Sequence, residues 1–270
     1  MGLGITDKFY YIDDNGEKIV LTIAEFDGGI GLKPNYGFYR ESGIGSGTEG
    51  VVYRHGDLAF KIIHTFNHTI LPIEDKSAKK YEYFKELTVL KNTIVPKHIL
   101  FQLDTGEFCG YTSTFIPKID KISNFRCSNL LESFLGLLSD ADYLGHHFVR
   151  THDSSEECNF IFGKTAIYAI DPGRWLLVDK EKYPDSDEWH FWEYGSVSDL
   201  IARNKRDFSI GIANFFCYSA LVDNDVTDKL SPLCDEFVLG KGNPIMFYNS
   251  LVKELGSYPT LGDYGADRRK

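Results

Sequence analysis

A glycine-rich segment, Gly45-Ser46-Gly47-Thr48-Glu49-Gly50, runs directly into Val51-Val52-Tyr53. Glycines lack a Cβ, so the backbone N–H groups of such a loop can close on phosphate oxygens. In a dinucleotide-binding turn a helix begins after the last glycine. Here Val51, Val52 and Tyr53 favour extended chain, so the spacing predicts a strand–turn–strand flap. A second polar feature follows in Leu58-Ala59-Phe60-Lys61-Ile62-Ile63, where one lysine interrupts an apolar run. An ammonium among apolar neighbours is costly unless anions surround it. Nucleotide phosphates and a carboxylate would supply them, whereas on an edge strand the same lysine would simply point to solvent. The carboxylate candidate is Glu86, one position from an apolar stripe, and Glu82, one helical turn earlier, competes with it.

These residues need a scaffold that the surrounding pattern describes. Residues 8–25 read as a hairpin, with Asp13-Asp14-Asn15-Gly16 as the turn between β-rich runs. A glycine-rich connector covers 28–37. From Phe38 to Ile63 the reading is strand, glycine turn, strand, polar turn at His55-Gly56-Asp57, strand. The spacing of Tyr83, Leu87 and Leu90 predicts a helix over 76–91. Strands follow at 99–103 and 108–115, and Pro117 closes the section. Beyond it, 129–144 reads as a helix, 151–158 as a polar loop, and 160–162 with 166–170 as two short strands. Helices are expected near 196–204 and 208–222.

Taken together, these motifs resemble the protein-kinase family. Gly45 to Tyr53 is similar to the kinase glycine loop G-x-G-x-x-G-x-V, with Gly45, Ser46, Gly47, Thr48, Gly50 and Val52 as nucleotide-covering positions. Ala59-Phe60-Lys61 resembles the A-x-K of the third strand, and Glu86 with Leu90 resembles the helix glutamate and the leucine four residues on. In the second half, His152-Asp153, Asn159 and Ile170-Asp171-Pro172-Gly173 resemble the catalytic loop and the metal-binding motif. The resemblance implies an α+β, two-lobed kinase-like fold: a β-rich N-lobe with one helix and a reduced, mainly helical C-lobe. It implies an N-terminal extension at 1–35, an N-lobe at 36–117 and a C-lobe at 118–270. The implied cofactors are ATP and Mg²⁺. Lys61 would clamp the α- and β-phosphates and Glu86 would orient Lys61. Asn159 and Asp171 would hold the metal, and Asp153 would take or orient the acceptor hydroxyl proton.

Several positions depart from the family pattern. Thr151 stands two before Asp153, where the family has histidine, and Asn159 follows six residues after it rather than five. Ser155 replaces the usual cation two residues past the aspartate, and Pro172 replaces the phenylalanine of DFG. Asp207-Phe208-Ser209-Ile210-Gly211 resembles the αF motif one residue short, and no APE-like segment follows. The short route after Gly173 is similar to minimal kinases that bacterial pathogens inject as effectors. That likeness implies a protein substrate, with a host protein as one option, an activating protein partner as another, and delivery from the bacterial cytoplasm into a host cell. Three further readings share the motifs: a nucleotide-binding pseudokinase, a small-molecule kinase resembling aminoglycoside phosphotransferases, and an AMP-transferase.

Composition narrows the field. Hydrophobic residues make 43% of the 270 and charged residues 25%, which excludes a disordered or collagen-like chain. With 29 basic and 39 acidic side chains the net charge is −10, which opposes nucleic-acid binding through bulk charge. Cys109, Cys127, Cys158, Cys217 and Cys234 form no CxxC pattern, so reduced, mostly buried thiols are expected. No secretory leader is expected at Met1, and no apolar stretch is long enough to span a bilayer. Gly2 with Thr6 matches a myristoylation pattern formally. Adjacent His146 and His147 cannot both face one metal from a helix. Trp189, Phe191, Trp192 and Tyr194 form an aromatic cluster suited to packing or to docking a partner.

Overall fold

The β-hairpin expected at the N-terminal end forms as β1 (Lys8–Ile12) and β2 (Lys18–Thr22). Its turn is built by Asp13, whose carboxylate accepts the backbone N–H of Asn15 at 2.9 Å and of Glu17 at 2.8 Å. Gly16 supplies the left-handed residue, φ 81°, that such a turn requires. The structure is a computed structural model, and it describes residues 8–22, 45–46, 50–63, 78–119, 121–152, 154, 159–178, 196–219 and 222–267. Asp153, Gly47, Thr48, Cys158 and the aromatic cluster at 189–194 lie outside the described residues, as do Gly2 and Thr6.

The architecture is α+β, and the chain divides into two compact units. One comprises Met1–Thr88 with Val95–Phe115, the other Val89–Ile94 with Ile116–Lys270. The first unit is one curled antiparallel sheet with a helix. To β1 and β2 it adds β3 (Gly45–Ser46), β4 (Gly50–His55), β5 (Leu58–Ile63), β6 (His98–Gln102) and β7 (Phe108–Thr114), in the order β2-β1-β6-β7-β5-β4-β3. Strand alternation sends Phe60 and Ile62 of β5 into a core with Phe9, Tyr11, Leu21, Val51, Tyr53, Leu100 and Cys109. The opposite face carries Tyr111, on which Tyr81 of helix α1 (Ala78–Lys85) stacks at 4.9 Å.

Helix α1 stops well short of the expected 76–91 boundary at its C-terminal end. Its last turn tightens into i→i−3 bonds, Glu86 N–H to Tyr83 and Leu87 N–H to Phe84, both at 3.1 Å. The reason lies in the second unit, which captures the following residues. The longest element in reach is α2 (Cys127–His146), and its Asp140, 2% exposed, accepts the N–H groups of Lys91 at 2.8 Å and Asn92 at 2.7 Å. The Asn92 side chain donates to the Ile167 carbonyl at 2.8 Å, and the backbones of Asn92 and Ile94 bond to Ala169. Residues 91–94 thereby lie along a strand edge and cannot continue a helix. On the helix the buried residues are Lys80, Tyr81 and Phe84; of the expected Tyr83, Leu87 and Leu90, Leu87 is buried too, in the turn after the helix, while Tyr83 and Leu90 are half-buried.

The rest of the second unit contains β8 (Val149–Arg150), β9 (Phe160–Phe162), β10 (Ile167–Ala169), β11 (Leu176–Leu177) and helices α3 (Val197–Tyr218), α4 (Asn224–Val238), α5 (Pro244–Leu255) and α6 (Leu261–Ala266). The two helices expected at 196–204 and 208–222 are one continuous α3. Ser196 caps it by accepting the Asp199 N–H at 3.2 Å. The polar run at Lys205-Arg206-Asp207 does not break it, because Asp207 is turned inward onto a buried partner described below. Among the described residues no helix is long and apolar enough to cross a membrane.

Burial pushes the Asp140 carboxyl up from its ordinary value, while the two backbone N–H groups pull it back. Asp140→Ala would strand both donors in the interior. It should cost about 2–4 kcal/mol in a urea melt, and a loss below about 0.5 kcal/mol would show that the 91–94 segment is held by other contacts.

Candidate functional site

In the first unit the flap forms as expected where it is described. Gly45 pairs with Val52 and Ser46 with Val51, so β3 and β4 leave the glycine-rich turn between them. Gly50 lies so close to β5 that a Cβ there would collide with the Ile62 carbonyl oxygen. Glycine at this position is therefore a packing requirement.

Lys61 sits on β5, an interior strand flanked by β4 and β7, with Val52 and Tyr111 as its cross-strand neighbours. It is 7% exposed, so the alternative of an edge-strand lysine reaching solvent is excluded. Because Tyr111 is directly opposite, Lys61 shares the sheet face that α1 covers, away from the Phe60–Ile62 core. Ala59 lies two residues back on that same face. Glu86 is placed differently from the expectation: it is exposed in the turn after α1, not on the helix, for the reason given above. Glu82 lies on α1 and is also exposed. The first unit thus brings Lys61, Ala59, Val52 and the flap ends together, and gives Glu86 a less constrained position.

In the second unit the two expected oxygen donors share one end of a hairpin. Strands β9 and β10 pair antiparallel, Phe160 with Ala169 and Phe162 with Ile167. The ladder continues one step further, the Ile170 N–H donating to the Asn159 carbonyl at 2.8 Å. Asn159 therefore stands opposite Ile170, and Asp171 is the next residue. Asp171 adopts φ 62°, ψ 71°, a left-handed conformation. Aspartate visits that region more readily than most residues, but holding it there still costs of order 1 kcal/mol, and such outliers concentrate at functional positions. Its carboxylate accepts the Gly173 N–H at 3.3 Å, which opens the short 3₁₀ turn Pro172–Arg174.

That turn is tied to residues on either side of Asp153. Trp175, 1% exposed, donates its indole N–H to the Ser154 hydroxyl at 3.1 Å. Strand β11 pairs with β8, Leu176 opposite Arg150 and Leu177 opposite Val149. Beneath both runs α3. Its Asn204 side-chain oxygen accepts the N–H and hydroxyl of Thr151 at 3.0 and 3.2 Å, while its amide donates to the Val149 carbonyl at 2.8 Å. Asp207 is ion-paired with Arg150, both side chains less than a tenth exposed, and Arg203 approaches from the solvent side at 3.5 Å. Burial pushes the Asp207 carboxyl up, and the Arg150 guanidinium beside it draws it down. Gly211 completes the fit, since a Cβ there would strike the Phe160 ring and the Ser154 carbonyl.

Residues 149–152 and Ser154 are thus fixed on both sides of Asp153, and the hairpin end carrying Asn159 and Asp171 packs against the same helix. Asn204, Arg150, Ser154 and Trp175 were not singled out by sequence reasoning. Only the Asp207 to Gly211 motif hinted at them. The donor set, one carboxylate and one amide oxygen, suits Mg²⁺, which prefers hard oxygen ligands, keeps several waters and takes the remainder from phosphates. A carboxylate offers about four acceptor positions, so the Gly173 bond does not exhaust Asp171. Among the described residues no group of three or more His, Cys, Asp and Glu side chains could hold a metal ion. That excludes a zinc-type cage there and leaves a two-donor site open.

No protein-family model matches the chain, and no curated protein matches it. Among solved structures the chain is similar to the crystal structure of a Toxoplasma gondii specific rhoptry antigen kinase domain, with a TM-score of 0.48 and 9% identity over 93% of this chain and 86% of that one. A likeness at that level establishes neither a family nor a reaction for this chain.

Asp207→Ala would take from the buried Arg150 the carboxylate it is ion-paired with. It should cost about 3–5 kcal/mol in a denaturant melt and speed amide hydrogen exchange at residues 149–152. The double variant Arg150→Met/Asp207→Leu should recover most of the stability. A single variant as stable as the parent would contradict the anchoring role of α3.

Proposed function

We propose that the chain is an ATP- and Mg²⁺-dependent phosphotransferase, with the serine or threonine hydroxyl of a protein as acceptor. The observation that carries the proposal is the hairpin end at which Asn159 bonds across to Ile170 and the next residue, Asp171, is left-handed. Two hard oxygen donors at one hairpin end, one of them conformationally strained, are what a metal–triphosphate site asks of a protein. The buried, interior-strand lysine and the glycine flap add the cationic and backbone donors that phosphate oxygens need.

In this reading the Gly45–Gly50 backbone covers the triphosphate and Lys61 neutralises its α- and β-phosphates. Glu86 or Glu82 orients Lys61. Asn159 and Asp171 would hold Mg²⁺, which when bound supplies charge neutralisation of the phosphates. Asp153 accepts or orients the proton of the acceptor hydroxyl, and Arg150 and Thr151 before it are held by Asp207 and Asn204 of α3. Phosphoryl transfer asks the protein for position and charge more than for covalent chemistry. A segment fixed by buried polar contacts supplies the first, and Lys61 with the two donors the second.

The departures around Asp153 favour a second reading, a nucleotide-binding module without turnover. Both are separated by one set of measurements. Transfer of labelled γ-phosphate from ATP to protein should occur with the parent chain and fall at least about 100-fold in Lys61→Ala and in Asp171→Ala, with far-ultraviolet circular dichroism unchanged. Parental turnover in either variant would refute these roles. A rise in melting temperature with Mg²⁺ and ATP, but no transfer to protein or small acceptors, would favour the module. A mass gain of AMP on the acceptor would indicate nucleotidyl transfer.

A further inference from the structure

Helices α3 and α4 each carry a cysteine at their contact. Cys217 and Cys234 are side-chain neighbours there, close enough for each thiol to perturb the other, and the Cys217 thiol donates to the carboxylate of Asp235, the residue after Cys234. Around them stand Asp235, whose carboxylate lies 3.8 Å from the Cys217 sulfur, and Ser231, which donates to the other oxygen of Asp235 at 3.0 Å. The Thr227 hydroxyl donates to the Phe216 carbonyl at 3.1 Å and fastens the start of α4 to the end of α3 nearby. The two sulfurs differ in access: Cys234 is fully buried, whereas Cys217 is partly exposed near the C-terminal end of α3. None of these groups takes part in the proposed nucleotide site.

We propose that Cys217 and Cys234 are a peroxide-responsive dithiol that closes to an intramolecular disulfide joining α3 to α4. The Cys217 thiolate attacks one oxygen of hydrogen peroxide. An S–O bond forms, the O–O bond breaks, and hydroxide leaves and is protonated to water. The Cys234 sulfur then attacks Cys217. The S–S bond forms, the S–O bond breaks, and the hydroxyl departs with the Cys234 proton as a second water. Two thiols and one peroxide thus give one disulfide and two waters.

The assignment of roles follows from the surroundings. Cys217 is the more exposed sulfur and meets peroxide first; its neighbour Cys234 draws its thiol down, while burial and the Asp235 charge oppose this. The fully buried Cys234 thiol is pushed up by Cys217 beside it and by burial, so it is the resolving partner. Pro232 lies inside α4, two residues before Cys234, and lacks the N–H of a regular helix turn. The helix is locally less constrained where the sulfurs must close to about 2.05 Å. Cys109 and Cys127 have no such arrangement: burial pushes the first up to about 12 and the second up to about 11.

The inference is independent of nucleotide transfer, because it is read by mass. The reduced chain is treated with equimolar hydrogen peroxide, alkylated, digested and analysed without reductant. One disulfide peptide joining Cys217 to Cys234 is expected, reversible by dithiothreitol, with Cys109 and Cys127 still alkylated after unfolding. In Cys234→Ala and Cys234→Ser, Cys217 should be trapped as the dimedone adduct of a sulfenic acid. In Cys217→Ser, Cys234 should remain unlabelled. Absence of the Cys217–Cys234 peptide in the parent chain, or Cys217 joined to another cysteine, would overturn the proposal, whether or not the variants fold.

Discussion

Arg150 and Asp207 meet where water does not reach, and a charge pair in that position constrains everything chained to it. Moving the Arg150 side chain away would strip Asp207 of its buried cation and leave it the half-exposed Arg203. Asn204, one helical turn earlier on α3, bonds the backbone on either side of Arg150 and the Thr151 hydroxyl. The strand before the polar loop is therefore positioned by a helix lying more than fifty residues later in the chain. From that strand the order passes on through β11 and the Trp175–Ser154 hydrogen bond to the turn that begins at Asp171.

Strain is confined to the edges of this framework. Among the described residues, Phe148 and Asp171 are the non-glycine positions with positive φ, at 55° and 62°. Each stands at the end of a short antiparallel ladder, Phe148 before β8 and Asp171 after β10. The Phe148 carbonyl accepts the Val178 N–H at 2.8 Å, and the Asp171 carboxylate accepts the Gly173 N–H, so both conformations are stabilised locally. The first unit follows a different logic. Lys61 is costly to bury, and its site is fixed by its place between β4 and β7 rather than by strain.

Local chemistry was legible in the sequence wherever it acts over a few residues. The Asp13–Gly16 turn, the strand flanks of the glycine segment and the β9–β10 hairpin all depend on alternation and turn residues, which a window of ten positions contains. Helix α1 was overestimated because Asp140, 49 residues after Lys91, takes the backbone that a continuing helix would have used. Glu86 consequently lies in a turn. The sequence pattern reads as two helices where α3 is one, because Asp207, between the two expected spans, takes its partner from Arg150, 57 residues earlier. In the same way Asn204, Ser154 and Trp175 carry no local mark, since each takes its meaning from a partner that only the fold supplies.

In the proposed function Asn159 and Asp171 would hold Mg²⁺ and Lys61 would neutralise nucleotide phosphates. A crystal structure of the chain with Mg²⁺ and a non-hydrolysable ATP analogue tests it most directly. The account predicts the metal about 2.1 Å from an oxygen of Asp171 and the amide oxygen of Asn159, and the Lys61 ammonium in hydrogen-bond contact with the α- or β-phosphate. Analogue and metal bound elsewhere on the molecule, or no binding at saturating concentration, would contradict it.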